Sequence, residues 1–194
     1  MIMKLHKIAI LGSTRGTHLV TLLDAIHNQR LRAEIVIVIS DQSDAGILNK
    51  ARNYHLDNMA LPLQRGESRI MYDQRLAAVL LEKKANLIIL IGFMKILSVP
   101  FIKLFEGYVI NVHPSLLPKY QGLRDLAVHQ AVLEHRDTIS GCSVHRVTEL
   151  VDQGEILIQK QCKVRPDDIP ETLKARVQAL EAEALIEAIK LLDV

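Results

Sequence analysis

Four short aliphatic runs set the terms for what this chain can become. They are Lys7–Leu11, Glu34–Ser40, Asn86–Ile91 and Tyr108–Val112, rich in Ile, Val and Leu and without in–out alternation. A strand that is apolar on both faces must be covered on both faces, which is the situation of a parallel sheet between helices. Helical spacing fills the intervals. Thr17–Asn28 carries Leu19, Val20, Leu22, Leu23 and Ile26, and Ser68–Lys83 carries Ile70, Met71, Leu76, Val79 and Leu80. The alternation predicts an α/β fold: a doubly wound, mostly parallel sheet with right-handed crossovers and a Rossmann-like N-terminal half.

The second half reads differently. A helix is expected over Asp125–Glu134, with Val128, Ala131 and Val132 inward. Two strands follow near Gly141–Thr148 and Glu155–Val164. The short link Glu149–Gly154 makes them an antiparallel extension. Asp168-Ile-Pro-Glu171 reads as a capping box with proline in the first turn. It opens a last helix with Leu173, Val177, Leu180, Ala184 and Ala188 at helical spacing. With no repeat, linker or composition shift, residues 1–194 are expected to form one domain.

Composition excludes several classes. Apolar residues make up 49% and the net charge is only +2, which is a globular and not a disordered balance. The two cysteines, Cys142 and Cys162, cannot make a disulfide framework and suit a reducing compartment. The longest apolar run, Leu87–Met94 if Gly92 is allowed, falls short of the roughly 20 residues that a bilayer needs. The apolar stretch Ile8–Leu11 is followed by no small-residue cleavage site. A cytoplasmic protein is therefore expected. There is no Trp and no basic stripe, so neither nucleic acid nor membrane is an expected partner. Small-molecule substrates and a monomer or homodimer are.

Two segments carry chemistry. Gly12-Ser-Thr-Arg-Gly16-Thr17-His18 follows the first strand and leads into a helix, so its backbone N–H groups and the helix dipole would favour an anion. The spacing is neither G-x-G-x-x-G nor a Walker loop, which disfavours a dinucleotide; Asp41, after the second strand, keeps a ribose-binding reading open. Arg15 suits a monophosphate. The second segment is Val109-Ile-Asn111-Val-His113-Pro-Ser-Leu-Leu-Pro118-Lys-Tyr-Gln-Gly122. Asn111 and His113 are two apart at a strand end and share a face, where ligands of open α/β sheets sit. An amide N–H stabilises a developing oxyanion, and an imidazole moves a proton near neutral pH. A third group should orient the imidazole or raise its pKa, and Asp152 in the turn Leu150–Gly154 is the candidate. There is no G-x-S-x-G elbow, no cysteine in a nucleophile's context and no zinc spacing. The nucleophile is therefore expected to come from the substrate, and no metal is expected.

Gly92-Phe-Met-Lys-Ile-Leu97, the stretch from Asn111 to Gly122, Gly141-Cys-Ser-Val-His145 and Asp152-Gln-Gly154 together resemble the folate-dependent formyltransferases, over nearly the whole chain from Ile8 to about Leu192. The resemblance implies transfer of a formyl group from 10-formyltetrahydrofolate to the amine of phosphoribosylglycinamide in de novo purine biosynthesis. It makes His113 the general acid/base, Asn111 the oxyanion donor and Asp152 the residue that holds and tunes the imidazole. It places the ribonucleotide on Gly16, Thr17, His18, Gln178 and Glu181. It places the folate on Arg69, Met94, Lys95, Ile96 and Leu97, with Asn111 shared. His18 and Lys95 depart from the asparagine and arginine frequent in the family, and Arg124–Ser140 is longer than in common members. Two alternatives are a formyltetrahydrofolate hydrolase, which would use water in place of the amine and is expected to carry an extra N-terminal domain, and a nucleotide-binding sensor module.

Overall fold

The computed structural model describes residues 5–192. Its chain divides into two compact units, one ending at Ile110 and the other running from Asn111 to Leu192.

In the first unit strands and helices alternate: β1 (His6–Leu11), α1 (Thr17–His27), β2 (Ala33–Ser40), α2 (Gly46–Asn53), β3 (Asn58–Ala60), α3 (Arg69–Glu82), β4 (Leu87–Leu90) and α4 (Val99–Leu104). The strands are parallel in the order β3-β2-β1-β4. The chain leaves this unit along β5 (Val109–His113). Ile8, Ile10, Ile37, Ile39, Leu87 and Ile89 are all but fully buried, as runs apolar on both faces require. Each such side chain contributes roughly 1.5–3 kcal/mol. Helix α1 covers the sheet with Leu19, Leu22 and Ala25. In α3 the buried face is Tyr72, Asp73, Leu76, Ala77 and Leu80, while Ile70 and Met71 are exposed. Ser68 caps α3 by accepting the Met71 N–H at 3.2 Å.

The second unit begins in β5 and continues through α5 (Leu126–Glu134), β6 (Ile139–Arg146), β7 (Ile156–Lys163) and α6 (Pro170–Leu191), with strand order β5-β6-β7. Strands β6 and β7 are antiparallel, as the short link demands. Gly141 and Gly154 sit where the backbone crowds. A Cβ on the first would meet the Lys160 carbonyl, and on the second the Arg146 carbonyl. On α5, Val128 and Val132 are buried with His129, while Ala131 is half-buried. Helix α6 buries Leu173, Val177, Ala184, Leu185, Ala188 and Ile189 and packs against α5, β6 and β7, with Leu180 only half-buried. Its start corrects the capping-box expectation. The N-cap is Ile169, whose N–H donates to Thr172 Oγ1 at 3.0 Å, and Glu171 takes no part. Asp168 instead grips Arg176 with both carboxylate oxygens at 2.7 and 2.8 Å, so its carboxyl lies well below the usual range. A bidentate guanidinium pair is worth more than one backbone contact.

Among the described residues, no helix is long and apolar enough to cross a membrane. Nor is any group of three or more His, Cys, Asp and Glu side chains placed to hold a metal ion.

Candidate active site

The glycine turn of the first unit is built by backbone. Gly16 is left-handed, with φ 59°, and a Cβ there would run into Ile47. Only glycine meets both demands, and this lets Thr17 begin α1 without a bend. The Gly12 N–H donates to Ile39 O at 3.0 Å, Ser13 N–H to Gly92 O at 3.1 Å, and Ile47 N–H to Thr14 O at 3.0 Å. Thr17 is exposed and His18 buried. The turn is joined to the segment after β4, because Ser13 Oγ accepts the Met94 N–H at 2.8 Å.

That segment presents its residues unequally. Met94 and Ile96 are exposed, whereas Leu97 is in the core. Lys95 turns inward. Its Nζ lies 3.7 Å from Asp41 Oδ2 and 5.2 Å over the Tyr72 ring. Asp41 is therefore spoken for by Lys95, and by Gln42 Nε2 at 3.0 Å. Its other oxygen is buried without a hydrogen-bond partner, as is the Tyr72 hydroxyl. The Tyr72 phenol is pushed upward by burial and by the Asp41 charge. Arg69, in the first turn of α3, is exposed.

In the second unit the side chains converge. Asn111 and His113 leave the end of β5 on one face, and Asp152 comes to them from the turn before β7. The carboxylate of Asp152 faces His113 Nδ1 at 3.4 Å and His145 Nε2 at 3.6 Å, and accepts the Gly122 N–H at 2.9 Å. Asp152 itself is left-handed, with φ 56°, and its carbonyl accepts from Gln121 Nε2 at 3.1 Å. His113 Nε2 donates to the Tyr120 carbonyl at 3.2 Å. Both ring nitrogens of His113 thus look at acceptors, an arrangement that favours imidazolium. Burial opposes this and wins. The pKa of His113 lies below the ordinary value although Asp152, the Tyr120 carbonyl and Glu181 pull it up. Asp152 raises the imidazole's affinity for a proton, as anticipated, but the net displacement is downward.

His145 completes the set and is the residue that motif reading missed. Its Nδ1 faces the Arg146 carbonyl at 2.9 Å, so that nitrogen carries the proton. Nε2 is then a lone pair and accepts from the Asn111 amide at 3.2 Å. This bond fixes which way the carboxamide points. Burial holds His145 below its ordinary pKa and keeps it in this neutral form. The sequence signal for it is polar: a histidine closing the otherwise small and apolar strand Gly141-Cys-Ser-Val-His145. On α6, Gln178 is half-buried, and Glu181, at 6% exposed, is not an ordinary surface helix residue. Its charge acts on both His113 and His129.

Comparisons with known proteins identify the family. A sequence model of the formyl transferase family matches residues 6–189. The trifunctional purine biosynthetic protein adenosine-3 of Drosophila pseudoobscura pseudoobscura is 40% identical over 188 residues, 96% of this chain. The chain spans only 14% of that protein and 18% of the Gallus gallus protein of the same name. The phosphoribosylglycinamide formyltransferase of Haemophilus influenzae is 36% identical over 177 residues, 91% of this chain and 82% of that one. Among solved structures, glycinamide ribonucleotide transformylase 1 from Symbiobacterium toebii superposes with a TM-score of 0.91 at 35% identity, covering 96% of this chain and 87% of its own. The phosphoribosylglycinamide formyltransferase from Brucella melitensis gives 0.90 at 35% identity, covering 97% and 95%. This chain belongs to the formyl transferase family.

Proposed function

We propose that the chain transfers the formyl group of 10-formyltetrahydrofolate to the amine of phosphoribosylglycinamide, with Asn111, His113 and Asp152 as the reacting set. One observation carries the reading. A carboxamide and an imidazole from one strand tip are linked in a chain, Asn111 to His145, His145 to Asp152 and Asp152 to His113, every contact lying between 3.2 and 3.6 Å. The resemblance of the whole chain to enzymes named for this reaction supports the choice of substrates.

The residues suit the folate. Met94 and Ile96 offer exposed apolar side chains next to backbone held by Ser13, fitting a flat, partly polar ring. Arg69, Lys95 and Leu97 are assigned to the same co-substrate. Gly16, Thr17 and His18 take the ribonucleotide phosphate at the start of α1, and Gln178 and Glu181 take its glycinamide end.

Asn111 then has one amide hydrogen occupied by His145 and a second to give to the oxygen on which charge develops. A single oxyanion donor is worth about a hundredfold or more in rate. His113, neutral before attack, takes the proton that the attacking amine loses, becomes imidazolium, and delivers that proton to the departing folate nitrogen. Asp152 stabilises the imidazolium while it carries that proton, against the burial that favours the neutral ring. The attacking amine is neutral and comes from the substrate, as expected for a site with no activated serine or cysteine. Burial pushes the Cys142 thiol up to about 12, which makes it no nucleophile.

The test is to incubate the protein with 10-formyltetrahydrofolate, with and without phosphoribosylglycinamide, and follow loss of the formyl group. Amine-dependent loss is expected. Equal loss without the amine makes the enzyme a hydrolase. No loss, with thermal stabilisation by mononucleotide alone, makes it a sensor module.

A further inference from the structure

The contact that fixes His113 on the side away from Asp152 is a backbone carbonyl, and a carbonyl can be no better placed than its own residue. Tyr120 is in the left-handed region, φ 62°, where a non-glycine residue needs outside support. The support comes from the segment after α5. The Tyr120 hydroxyl donates to Asp137 Oδ2 at 2.9 Å. Lys119 Nζ reaches both oxygens of the same carboxylate at 3.0 Å. The Tyr120 ring meets the edge of His135 with centroids 5.7 Å apart, and Ser115 Oγ grips the Lys119 carbonyl at 2.5 Å. Asp137 is anchored in turn by its own N–H, which donates to Val132 O at 3.1 Å.

We propose that Asp137, acting through the Tyr120 phenol, is a positioning residue for the His113 imidazole, and that this is what the segment 124–140 contributes to the reaction. The inference rests on the reading of His113 as the acid/base group. Asp137 touches neither His113 nor any reacting atom. It pins the side chain of Tyr120, which leaves the Tyr120 carbonyl aimed at Nε2. The tie is durable. Burial and the Asp137 bond push the Tyr120 phenol up to about 12, so it remains a donor. Lys119 and Tyr120 hold the Asp137 carboxyl below its usual range, so it remains an acceptor. The other groups that face His113 are Asp152 from the turn before β7, Glu181 from α6 and His145 from β6, and none of them contacts Asp137.

Tyr120→Phe removes the hydroxyl and leaves the carbonyl in the chain. Two readouts apply. The first is the His113 titration by NMR in the unliganded protein, which needs no turnover. The second is the pH profile of formyl transfer. With the carbonyl no longer held, the His113 midpoint should fall by about half a unit or more, because a hydrogen bond to the charged form is weakened. The kcat should fall about fivefold to tenfold, the scale of a misplaced acid–base group, with KM for the ribonucleotide within twofold. Asp137→Ala should match it, while Asp137→Asn, which still offers the phenol an acceptor, should restore most of the midpoint. Lys119→Met should move the midpoint little. An unchanged His113 titration in both Tyr120→Phe and Asp137→Ala overturns the proposal, as does Asp137→Asn behaving like Asp137→Ala. Should the wild-type protein transfer no formyl group while the midpoint still moves, the positioning contact stands and the assigned reaction falls. If one of Tyr120→Phe and Asp137→Ala is too unstable to titrate, the other decides the matter on its own, an unchanged His113 midpoint overturning the proposal.

Discussion

The two units solve different problems with different materials. Around Gly12–Gly16 and Gly92–Leu97 the first unit builds with backbone: carbonyls and N–H groups of three βα connections hold one another, and the side chains are exposed or turned into the core. At the end of β5 the second unit builds with side chains, four of them within hydrogen-bond or ion-pair range of a neighbour in the set. Backbone scaffolds tolerate exchanged side chains, because the bonds that build them belong to the main chain. A side-chain network tolerates little, since each member sets the protonation or orientation of the next.

Substitutions test this contrast. The largest effect should come from the network. Asp152→Ala and His113→Ala should each cut kcat at least about a hundredfold in steady-state assays, the scale of an acid–base group. Near wild-type turnover in Asp152→Ala would dissolve the side of the comparison that rests on chemistry. Next comes the backbone side. Gly16→Ala combines a left-handed φ with a collision against Ile47 and should cost about 1–3 kcal/mol in chemical denaturation. It should also weaken ribonucleotide binding, measured as KM. Thr17→Ala, which leaves the backbone alone, should do much less, and equal losses in the two would mean that the hydroxyl, not the turn, does the binding. Smaller again is Lys95→Met. It leaves the buried Asp41 carboxylate without its cation and should raise KM for the folate about threefold to tenfold with kcat nearly unchanged.

The smallest effect is one of pH. Burial lowers the pKa of His113, His129 and His145 in the folded chain. The unfolded chain therefore binds more protons once pH drops below about 6.5, and stability falls from there down to the folded values. The lowered carboxyls of Asp125, Asp137 and Asp168 act in the same direction but in a window below their ordinary 3.8. Thermal melts should show a decline between pH 6.5 and 5, and His129→Asn should flatten it. A flat melt profile through that interval would mean that burial does not govern these imidazoles.

The sheet was legible because Ile8–Leu11, Ile35–Ile39 and Leu87–Ile91 have no polar face to offer solvent, and one architecture covers such strands on both sides. The pieces that escaped are those whose order is imposed from outside. Helix α2 has eight residues with only Ile47, Leu48 and Ala51 inward, β3 is a three-residue edge with two positions exposed, and α4 has six residues around a proline. In the site, Asn111 and His113 were visible because two residues on one strand share a face. Asp152 was guessed from a turn. His145 was not singled out, since its value depends on Asn111, 34 residues away, and on a bulge between Val144 and itself that no local pattern announces. The partner of Lys95 escaped for a related reason. Its Nζ lies 3.7 Å from Asp41, 54 positions earlier, a pairing that no local pattern announces.

The Asp152 carboxylate also has a meaning for the history of the fold. One oxygen serves His113 and the Gly122 N–H, and the other lies 3.6 Å from His145 Nε2. Asparagine would lose the charge that supports the His113 imidazolium, and glutamate would overshoot from a turn that cannot lengthen without moving Gly154 off the Arg146 carbonyl. A library randomised at this codon should therefore return aspartate alone among active clones, making the position a dead end for gradual drift. Escape would need at least two simultaneous changes.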